Sequence, residues 1–236
     1  MQLLRTLLAV LFLVVYIPLA ALIGFPSTLA SGSAALLYGL SMWGARTAVR
    51  LAGIHVEVEG RERLDPAKTY VFMANHVSNV DPPVIIPALP RRTSVLVKKE
   101  LFRIPILGRA MKLGSLVPVD RSNREAAVAS MHTAAEVVRS GINMTVFPEG
   151  TRSYDGRLLP FKKGPFYLAI ESGAPIVPVT ILGTREIMPK GSPLVRKGTA
   201  RLIFHPPVQP GHFRDRDELM EAVRQRIASA LPHELQ

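Results

Sequence analysis

The sequence has no cysteine, few aromatic residues and a shortage of acidic side chains. Without cysteine the chain can form no disulfide scaffold, zinc ribbon, iron–sulfur site or thiolate nucleophile. Aromatic residues make up only 6% of the 236 positions, which disfavours a nucleic-acid surface built on base stacking. Lys and Arg total 29 against 18 Asp and Glu, so the formal net charge is 29 − 18 = +11. This charge, beside a hydrophobic content of 48%, predicts binding to an anionic surface.

Charge is missing altogether from the amino-terminal region, where no charged residue lies between Arg5 and Arg46. The segment 7–25 is dense in Leu, Val, Ala and Ile, and it has the length of one membrane-spanning helix. Glycine, proline and serine residues at 24–32 are expected to interrupt this helix.

A second apolar stretch follows at 34–45 and continues into Arg46 and Arg50 as an amphipathic segment. Because both flanks of the uncharged region are basic, we expect a membrane-associated helical hairpin over residues 1–50 with both ends on the cytoplasmic side. Whether the first arm spans the bilayer or only dips into it is open. A cleaved signal peptide is the alternative interpretation.

From about Ile54 onward the pattern is that of a folded domain, predicted over residues 51–236. Short apolar segments alternate with amphipathic ones, which predicts an α/β fold with a mostly parallel mixed sheet flanked by helices. Strands are predicted at 54–58, 70–73, 94–97, 116–119, 144–147, 176–182 and 200–204. Helices are predicted at 122–140, with Ser122 and Glu125 as a capping box, and at 164–172 and 217–231.

The segment 75-NHVSNVDPP-83 directly follows a predicted strand. A neutral imidazole such as that of His76 can act as a general base at physiological pH, and Asp81 could hold its ring in one tautomer. The alternative is purely structural. Asp81 would then cap a helix that has Pro82 at its first position, and His76 would be an ordinary loop residue.

The segment 147-FPEGTRS-153 also follows a predicted strand. Ligands of open α/β sheets bind at the carboxyl ends of the strands. Arg152 suits bidentate capture of a phosphate, with Glu149 three residues before it. A surface turn with a local ion pair between these two side chains is the alternative.

A basic stretch at 91–124 holds nine Lys or Arg residues against Glu100 and Asp120. Within it, Lys99 and Arg121 lie near the ends of predicted strands. The stretch could be an ordinary solvated surface, or it could attract anionic headgroups or a phosphorylated substrate.

Taken together, four blocks resemble the glycerolipid acyltransferase family, whose hallmark is an H-x4-D motif. They are 75-NHVSNVD-81, 114-GSLVPVDR-121, 147-FPEGTRS-153 and 177-VPV-179. The likeness is strongest to bacterial 1-acyl-sn-glycerol-3-phosphate acyltransferases. In one departure, Gly114 stands seven residues before Arg121, whereas the family's glycine stands six before, so Ser115 takes the expected place.

The resemblance implies acyl transfer from a thioester to the sn-2 hydroxyl of lysophosphatidic acid, which makes phosphatidic acid. His76 is implied as the catalytic base and Asp81 as the residue that orients it. It further implies acyl-CoA or acyl carrier protein as co-substrate, no other cofactor, no metal and no nucleic acid. The expected location is the cytoplasmic face of the cell inner membrane, on anionic lipid. The implied acceptor site is Lys99, Arg121, Glu149, Gly150, Thr151 and Arg152.

Other functions remain open at this stage. Within the family the acceptor could be glycerol 3-phosphate or another lysophospholipid. Outside it, the chain could be a membrane-tethered metallohydrolase or a basic nucleic-acid-binding protein. The histidines that could supply metal ligands show no tight metal spacing; those considered are His55, His76, His132, His205 and His212.

Overall fold

The structure is a computed structural model that describes residues 1–120 and 123–236. Seven strands form one sheet in the order β1-β7-β6-β2-β5-β3-β4. They are β1 Ile54–Glu59, β2 Val71–Ala74, β3 Thr93–Lys98, β4 Val117–Val119, β5 Asn143–Val146, β6 Ile176–Leu182 and β7 Gly198–Phe204. The pairs β6–β2, β2–β5, β5–β3 and β3–β4 are parallel. Strand β7 pairs antiparallel with β6 and parallel with β1. The predicted mostly parallel mixed sheet is confirmed.

Helices cover both faces of the sheet. They are α1 Gln2–Ser31, α2 Ala35–Leu51, α3 Asp81–Ile85, α4 Leu107–Leu113, α5 Arg124–Arg139, α6 Gly164–Ser172, α7 Thr184–Ile187 and α8 Arg216–Ala228. Two short helices, α4 and α7, were not predicted, and α3 was anticipated only as a helix with Pro82 at its first position; the three have only four to seven residues each.

The two faces of the sheet carry separate hydrophobic cores. Side chains alternate along β2, because successive residues of a strand point to opposite faces. Val71 and Met73 pack in one core with residues of α5, α6 and α8. Phe72 and Ala74 pack in the other, with residues of α1, α2 and α3. A strand buried on both faces reads as a continuous apolar run, as β2 does.

The amino-terminal hairpin differs from the prediction in its first arm. Of the interruption expected at 24–32, the first part is wrong and the last is confirmed: α1 continues through Pro18 and Pro26 and ends at Ser31, with Gly32 as its cap at φ +67°. The arm packs closely against α2 in this region: a Cβ on Gly24 would lie 2.7 Å from Leu37 Cδ1. The second arm, α2, extends past Arg50, as its amphipathic pattern predicted.

The helix α1 is long and apolar enough to cross a membrane. It has 30 residues, and its best 18-residue window has a mean hydropathy of 2.7. Only 17% of that window is buried, so most of its apolar surface faces outward. A soluble surface rarely exposes so large an apolar area, and this indicates membrane association.

The amino-terminal cap of α5 is also different from the prediction. The cap is Asn123, whose side-chain oxygen accepts a hydrogen bond from Ala126 N at 3.0 Å. The predicted cap, Ser122, lies outside the described residues. Asparagine and serine cap equally well, so the choice between adjacent positions depends on backbone geometry.

Ser115 lies in the left-handed region, with φ +62°, whereas Gly114 is right-handed with φ −74°. The place where the resembled family has glycine is therefore one where the backbone favours glycine. The serine is held there by neighbours: Arg92 Nη2 donates to its Oγ at 3.0 Å, and Ser94 Oγ donates to its carbonyl at 2.6 Å.

We expect Ser115→Gly to be more stable than Ser115→Ala by about 1 kcal/mol. Both variants lose the hydrogen bond from Arg92, but only glycine also relieves the steric penalty of positive φ. Chemical denaturation of the two variants in the same detergent measures the difference. Equal stabilities would show that the backbone at residue 115 is not held in the left-handed region.

Candidate active site

The two predicted motif segments meet at the carboxyl-terminal edge of the sheet. Strand β2 leads into His76, and its neighbour β5 leads into the segment 147–153. Parallel pairing of β2 with β5 places the two strand ends side by side. The amide of Asn75 exchanges hydrogen bonds of 3.0 and 2.7 Å with the backbone of Ile181, which fixes the end of β2 against β6.

His76 and Asp81 form a direct pair, with 2.7 Å between His76 Nδ1 and Asp81 Oδ2. The aspartate side chain is fully buried and the histidine side chain is 15% exposed. Because a carboxylate only accepts hydrogen bonds, this geometry places a ring proton on Nδ1, and in the neutral imidazole the lone pair is then on Nε2. An Nε2 lone pair is what a general base requires.

Asp81 also fixes the loop that carries the histidine. Its Oδ2 accepts backbone N–H bonds from Val77 and Ser78, both at 2.8 Å. The structural alternative of a helix cap is therefore wrong: the cap of α3 is Val80, and Asp81 is the first residue of that helix. The carboxylate turns back toward the preceding loop and orients the imidazole.

One face of the imidazole packs against an aromatic ring. Phe147 stacks on His76 with ring centroids 4.1 Å apart and an interplanar angle of 21°. The sequence analysis quoted Phe147 within a motif but gave it no role. Stacking on one ring face and the hydrogen bond from Nδ1 at the ring edge leave the imidazole little rotational freedom, which preorganises Nε2.

Glu149 has a different position from the one expected for an acceptor ligand. It is only 2% exposed, and its two oxygens accept backbone N–H bonds from His76 at 2.6 Å and Leu159 at 3.0 Å. The His76 carbonyl in turn accepts a bond from Ser153 N at 2.9 Å. Glu149 therefore ties the 147–153 segment to the histidine loop, as a positioning residue.

Burial raises the pKa of Glu149 from its ordinary value of 4.5 to about 7, although the N–H bonds from His76 and Leu159 lower it in part. Between about pH 4.5 and 7 the unfolded chain has lost this proton while the folded chain retains it. Glu149 therefore contributes to the unfolding free energy at low pH, and this contribution is lost as pH rises through that window.

Accordingly, the wild type should lose about 3 kcal/mol of unfolding free energy, relative to Glu149→Gln, between pH 4.5 and pH 8. Denaturation of both proteins in micelles at several pH values measures this difference. The exposed Glu57→Gln serves as the matched control and should follow the wild type. Parallel pH profiles for wild type and Glu149→Gln would refute the raised pKa.

Several cations surround this edge of the sheet. Lys99, at the end of β3, forms a short ion pair with Asp120. The side chain of Arg152 is half-buried, and its carbonyl accepts a bond from Lys190 Nζ at 2.8 Å. Lys190 was not predicted from the sequence, because it follows α7 and has no motif around it. The predicted ligand Arg121 lies outside the described residues.

The turn between Glu149 and Arg152 is built on glycine. Gly150 has φ +71°, and a Cβ there would approach Lys162 Cγ to 3.3 Å. This packs the stem of Lys162 against the turn and adds a second cation that the sequence analysis did not assign. Thr151 is exposed beside it, where its hydroxyl can meet a polar ligand.

An apolar groove of about 460 Å³ lies beside the histidine loop. Its walls come from α1, α2 and α4, and from residues that follow His76 in the chain. Among its lining residues are Leu13, Ile17, Leu37, Val80, Pro83 and Ile106. Such a groove suits an alkyl chain, because it offers carbon surface with few polar groups.

Within the described ranges, 1–120 and 123–236, no group of three or more His, Asp or Glu side chains is placed to hold a metal ion. Two of the histidines considered as ligands are engaged elsewhere. His132 Nδ1 lies 2.7 Å from Glu171 Oε2 on the surface of α5, and His205 Nε2 lies 2.8 Å from Thr180 Oγ1.

Comparison with known proteins gives a consistent result. Residues 55–182 match the family model described as acyltransferase. A chloroplastic 1-acyl-sn-glycerol-3-phosphate acyltransferase of Brassica napus is 36% identical over 177 residues, which are 74% of this chain and 50% of the relative. The human 1-acyl-sn-glycerol-3-phosphate acyltransferase alpha is 33% identical over 159 residues, 67% of this chain and 56% of the relative. The chain thus spans about half the length of these curated relatives.

A solved structure matches over nearly the whole chain. It is the crystal structure of the 1-acyl-sn-glycerophosphate acyltransferase PlsC from Thermotoga maritima. The TM-score is 0.83 at 28% sequence identity, and the alignment covers 97% of this chain and 93% of the other. The likeness therefore includes the amino-terminal hairpin as well as the sheet.

Proposed function

This chain belongs to the acyltransferase family, and from that membership we propose that it acylates the sn-2 hydroxyl of 1-acyl-sn-glycerol 3-phosphate to make phosphatidic acid. The observation that carries the proposal is the hydrogen-bonded pair of His76 Nδ1 and the buried Asp81 Oδ2 beside an apolar groove. The relatives with 33–36% identity are named for this same reaction.

In the proposed reaction, His76 Nε2 takes the proton of the sn-2 hydroxyl as its oxygen attacks the thioester carbonyl. The new C–O bond forms, the C–S bond breaks, and the imidazolium returns the proton to the departing thiolate. Asp81 stabilises the imidazolium while it exists. A positioned base of this kind contributes about 10²–10⁴-fold to the rate. The thioester is already activated, so the proposal requires no covalent enzyme intermediate and no further cofactor.

The acceptor phosphate is proposed to bind the cations at the same edge of the sheet. Lys190 Nζ bonds the Arg152 carbonyl, and the stem of Lys162 packs against Gly150 in the 147–153 segment; Lys99 lies at the end of β3. An arginine beside lysines suits a phosphate monoester, because its planar fork donates two parallel hydrogen bonds. Arg121 is proposed as a further phosphate ligand on the strength of the motif alone.

The hairpin, residues 1–50, is proposed to anchor the catalytic domain, residues 51–236, in the membrane that holds the lysolipid and the product. The acyl chain of one substrate would lie in the groove between hairpin and domain. Basic residues at both flanks, Arg5 and Arg46, favour the cytoplasmic face of the inner membrane. Either acyl-CoA or acyl carrier protein is compatible as donor.

Purified full-length protein in detergent micelles tests the proposal. Lysophosphatidic acid and glycerol 3-phosphate are offered side by side, with acyl-CoA and then with acyl carrier protein as donor. We expect phosphatidic acid from the lysolipid. Acylation of glycerol 3-phosphate alone would overturn the named acceptor, and no transfer to either acceptor with either donor would overturn the function.

A further inference from the structure

We propose that the segment Leu101–Ile106 is a second membrane contact, which rests on an anionic bilayer beside α1 and holds the mouth of the apolar groove against lipid. The purpose of this contact rests on the proposed function, but the contact itself can be tested without measuring catalysis. The segment lies between β3 and α4 and begins inside a 3₁₀ helix, Lys99–Arg103.

The segment exposes three large apolar side chains within six residues. Leu101 is 41% exposed, Ile104 is 44% and Ile106 is 41%. Single exposed apolar residues are ordinary on soluble proteins, whereas a cluster marks a contact with a partner or a membrane.

This apolar cluster is continuous with the surface of α1. The Arg109 guanidinium of α4 lies over the Phe25 ring of α1, 5.8 Å from its centroid. Ile106 and Leu107 line the groove together with α1 side chains such as Ile17. A bilayer that accepts the outward face of α1 would therefore meet the segment at its edge.

The charge around the cluster fits an anionic surface. Between residues 98 and 112 the chain has five Lys or Arg and a single acidic residue, Glu100. Glu100 pairs with Lys98, and Lys99 pairs with Asp120. The remaining three cations are exposed and attract anionic headgroups; they are Arg103, Arg109 and Lys112.

The backbone at Ile106 is in an unusual conformation. Ile106 has φ +62°, an uncommon conformation for a β-branched residue. Leu107 N donates to the Pro105 carbonyl across it at 2.5 Å. Such strain persists where the surrounding structure requires it, and it clusters at ligand-binding sites. Ile106 both lines the groove and is exposed, so it stands at the groove's mouth.

Fluorescence quenching tests the contact directly, because the chain has no cysteine. Leu101→Cys and Ile104→Cys are labelled with an environment-sensitive fluorophore and reconstituted in phosphatidylcholine vesicles with and without phosphatidylglycerol. Val128→Cys is the matched control, since Val128 is 50% exposed on α5, whose core lies on the opposite face of the sheet.

We expect blue-shifted emission at 101 and 104, and at least threefold stronger quenching by nitroxide-labelled lipid than at 128. Quenching at 101 and 104 should be stronger in vesicles that contain phosphatidylglycerol. Equal quenching at all three positions would overturn the membrane contact. Equal quenching with and without phosphatidylglycerol would overturn its anionic preference.

A double variant, Leu101→Asp with Ile104→Asp, tests the purpose of the contact. We expect roughly a tenfold loss of acyl transfer to lysophosphatidic acid in vesicles, because two apolar side chains no longer enter the bilayer. Transfer in detergent micelles should stay within twofold of wild type. Equal losses in both assays would overturn a role in lipid access. A wild type that shows no transfer would refute the proposed function alone, since quenching still reports the contact.

Discussion

Replacing His76 with alanine is expected to lower acyl transfer to lysophosphatidic acid by about 10²–10⁴-fold. The secondary hydroxyl of the acceptor is a poor nucleophile, and in the proposed mechanism the imidazole Nε2 takes its proton during attack. The loss should fall on kcat, with a smaller change in KM, because the base acts in the transition state. Initial rates in micelles at saturating donor measure both parameters.

His76→Asn accompanies the alanine variant in case alanine disturbs the fold. The asparagine Nδ2 can still donate to Asp81 Oδ2 but offers no base at the Nε2 position. His132→Ala is the matched control, because His132 is exposed on α5 and paired with Glu171. Wild-type rates in both His76 variants would rule out His76 as the base. A comparable loss in His132→Ala would point to a general defect instead.

The second large effect is expected at Asp81, where alanine should be nearly as damaging as the loss of His76. Truncation frees the imidazole to rotate and to change tautomer. It also leaves the buried N–H groups of Val77 and Ser78 without their acceptor, which costs about 1–3 kcal/mol for each group.

Asp81→Asn should be milder than Asp81→Ala, with a loss of about 10–100-fold. The amide oxygen should take the Oδ2 position, because Val77 and Ser78 both donate there. The ring proton then stays on Nδ1, and only the negative charge that stabilises the imidazolium is lost. The buried Oδ1 has no partner among the described residues, so an amide nitrogen displaces no hydrogen bond there.

The informative quantity is therefore the ratio of the acyl-transfer rates of Asp81→Asn and Asp81→Ala. If Asp81→Asn is as inactive as Asp81→Ala, the amide has turned its nitrogen toward His76 and imposed the wrong tautomer. Nitrogen NMR of the imidazole reports the tautomer directly. Unfolding free energies of both variants separate loss of catalysis from loss of structure.

The sequence predicted the sheet well and the short helices poorly. Each strand named from its apolar pattern is present within about three residues, because buried strands between amphipathic helices leave a strong periodic signal. The helices α3, α4 and α7 are too short for such a signal. The arm α1 was predicted to break at proline and glycine, whereas it packs closely against α2 at Leu37 and continues through to Ser31.

The candidate site was also predicted only in part from the sequence. The spacing of His76 and Asp81 left their roles open, and the resemblance of the four sequence blocks to the family singled them out; the structure brings the two side chains to hydrogen-bond distance. For Glu149 the motif alone favoured a contact with substrate or with Arg152. The structure instead places both oxygens on backbone N–H groups. Nothing in the local sequence indicates this, since Leu159 lies ten residues further on and β2 and β5 must first pair.

What the sequence determined by itself is the chemistry available: a histidine and an aspartate five residues apart, a turn with a glutamate and an arginine after a strand, no cysteine, and an uncharged run of membrane-spanning length. These are properties of neighbours along the chain, which spacing and composition record. The tertiary structure decided which tautomer the histidine holds, which carboxylate is buried and which lysines reach the site. It also decided where the groove opens. Those outcomes depend on contacts between residues far apart in sequence, because burial and hydrogen-bond partners exist only after the strands have paired.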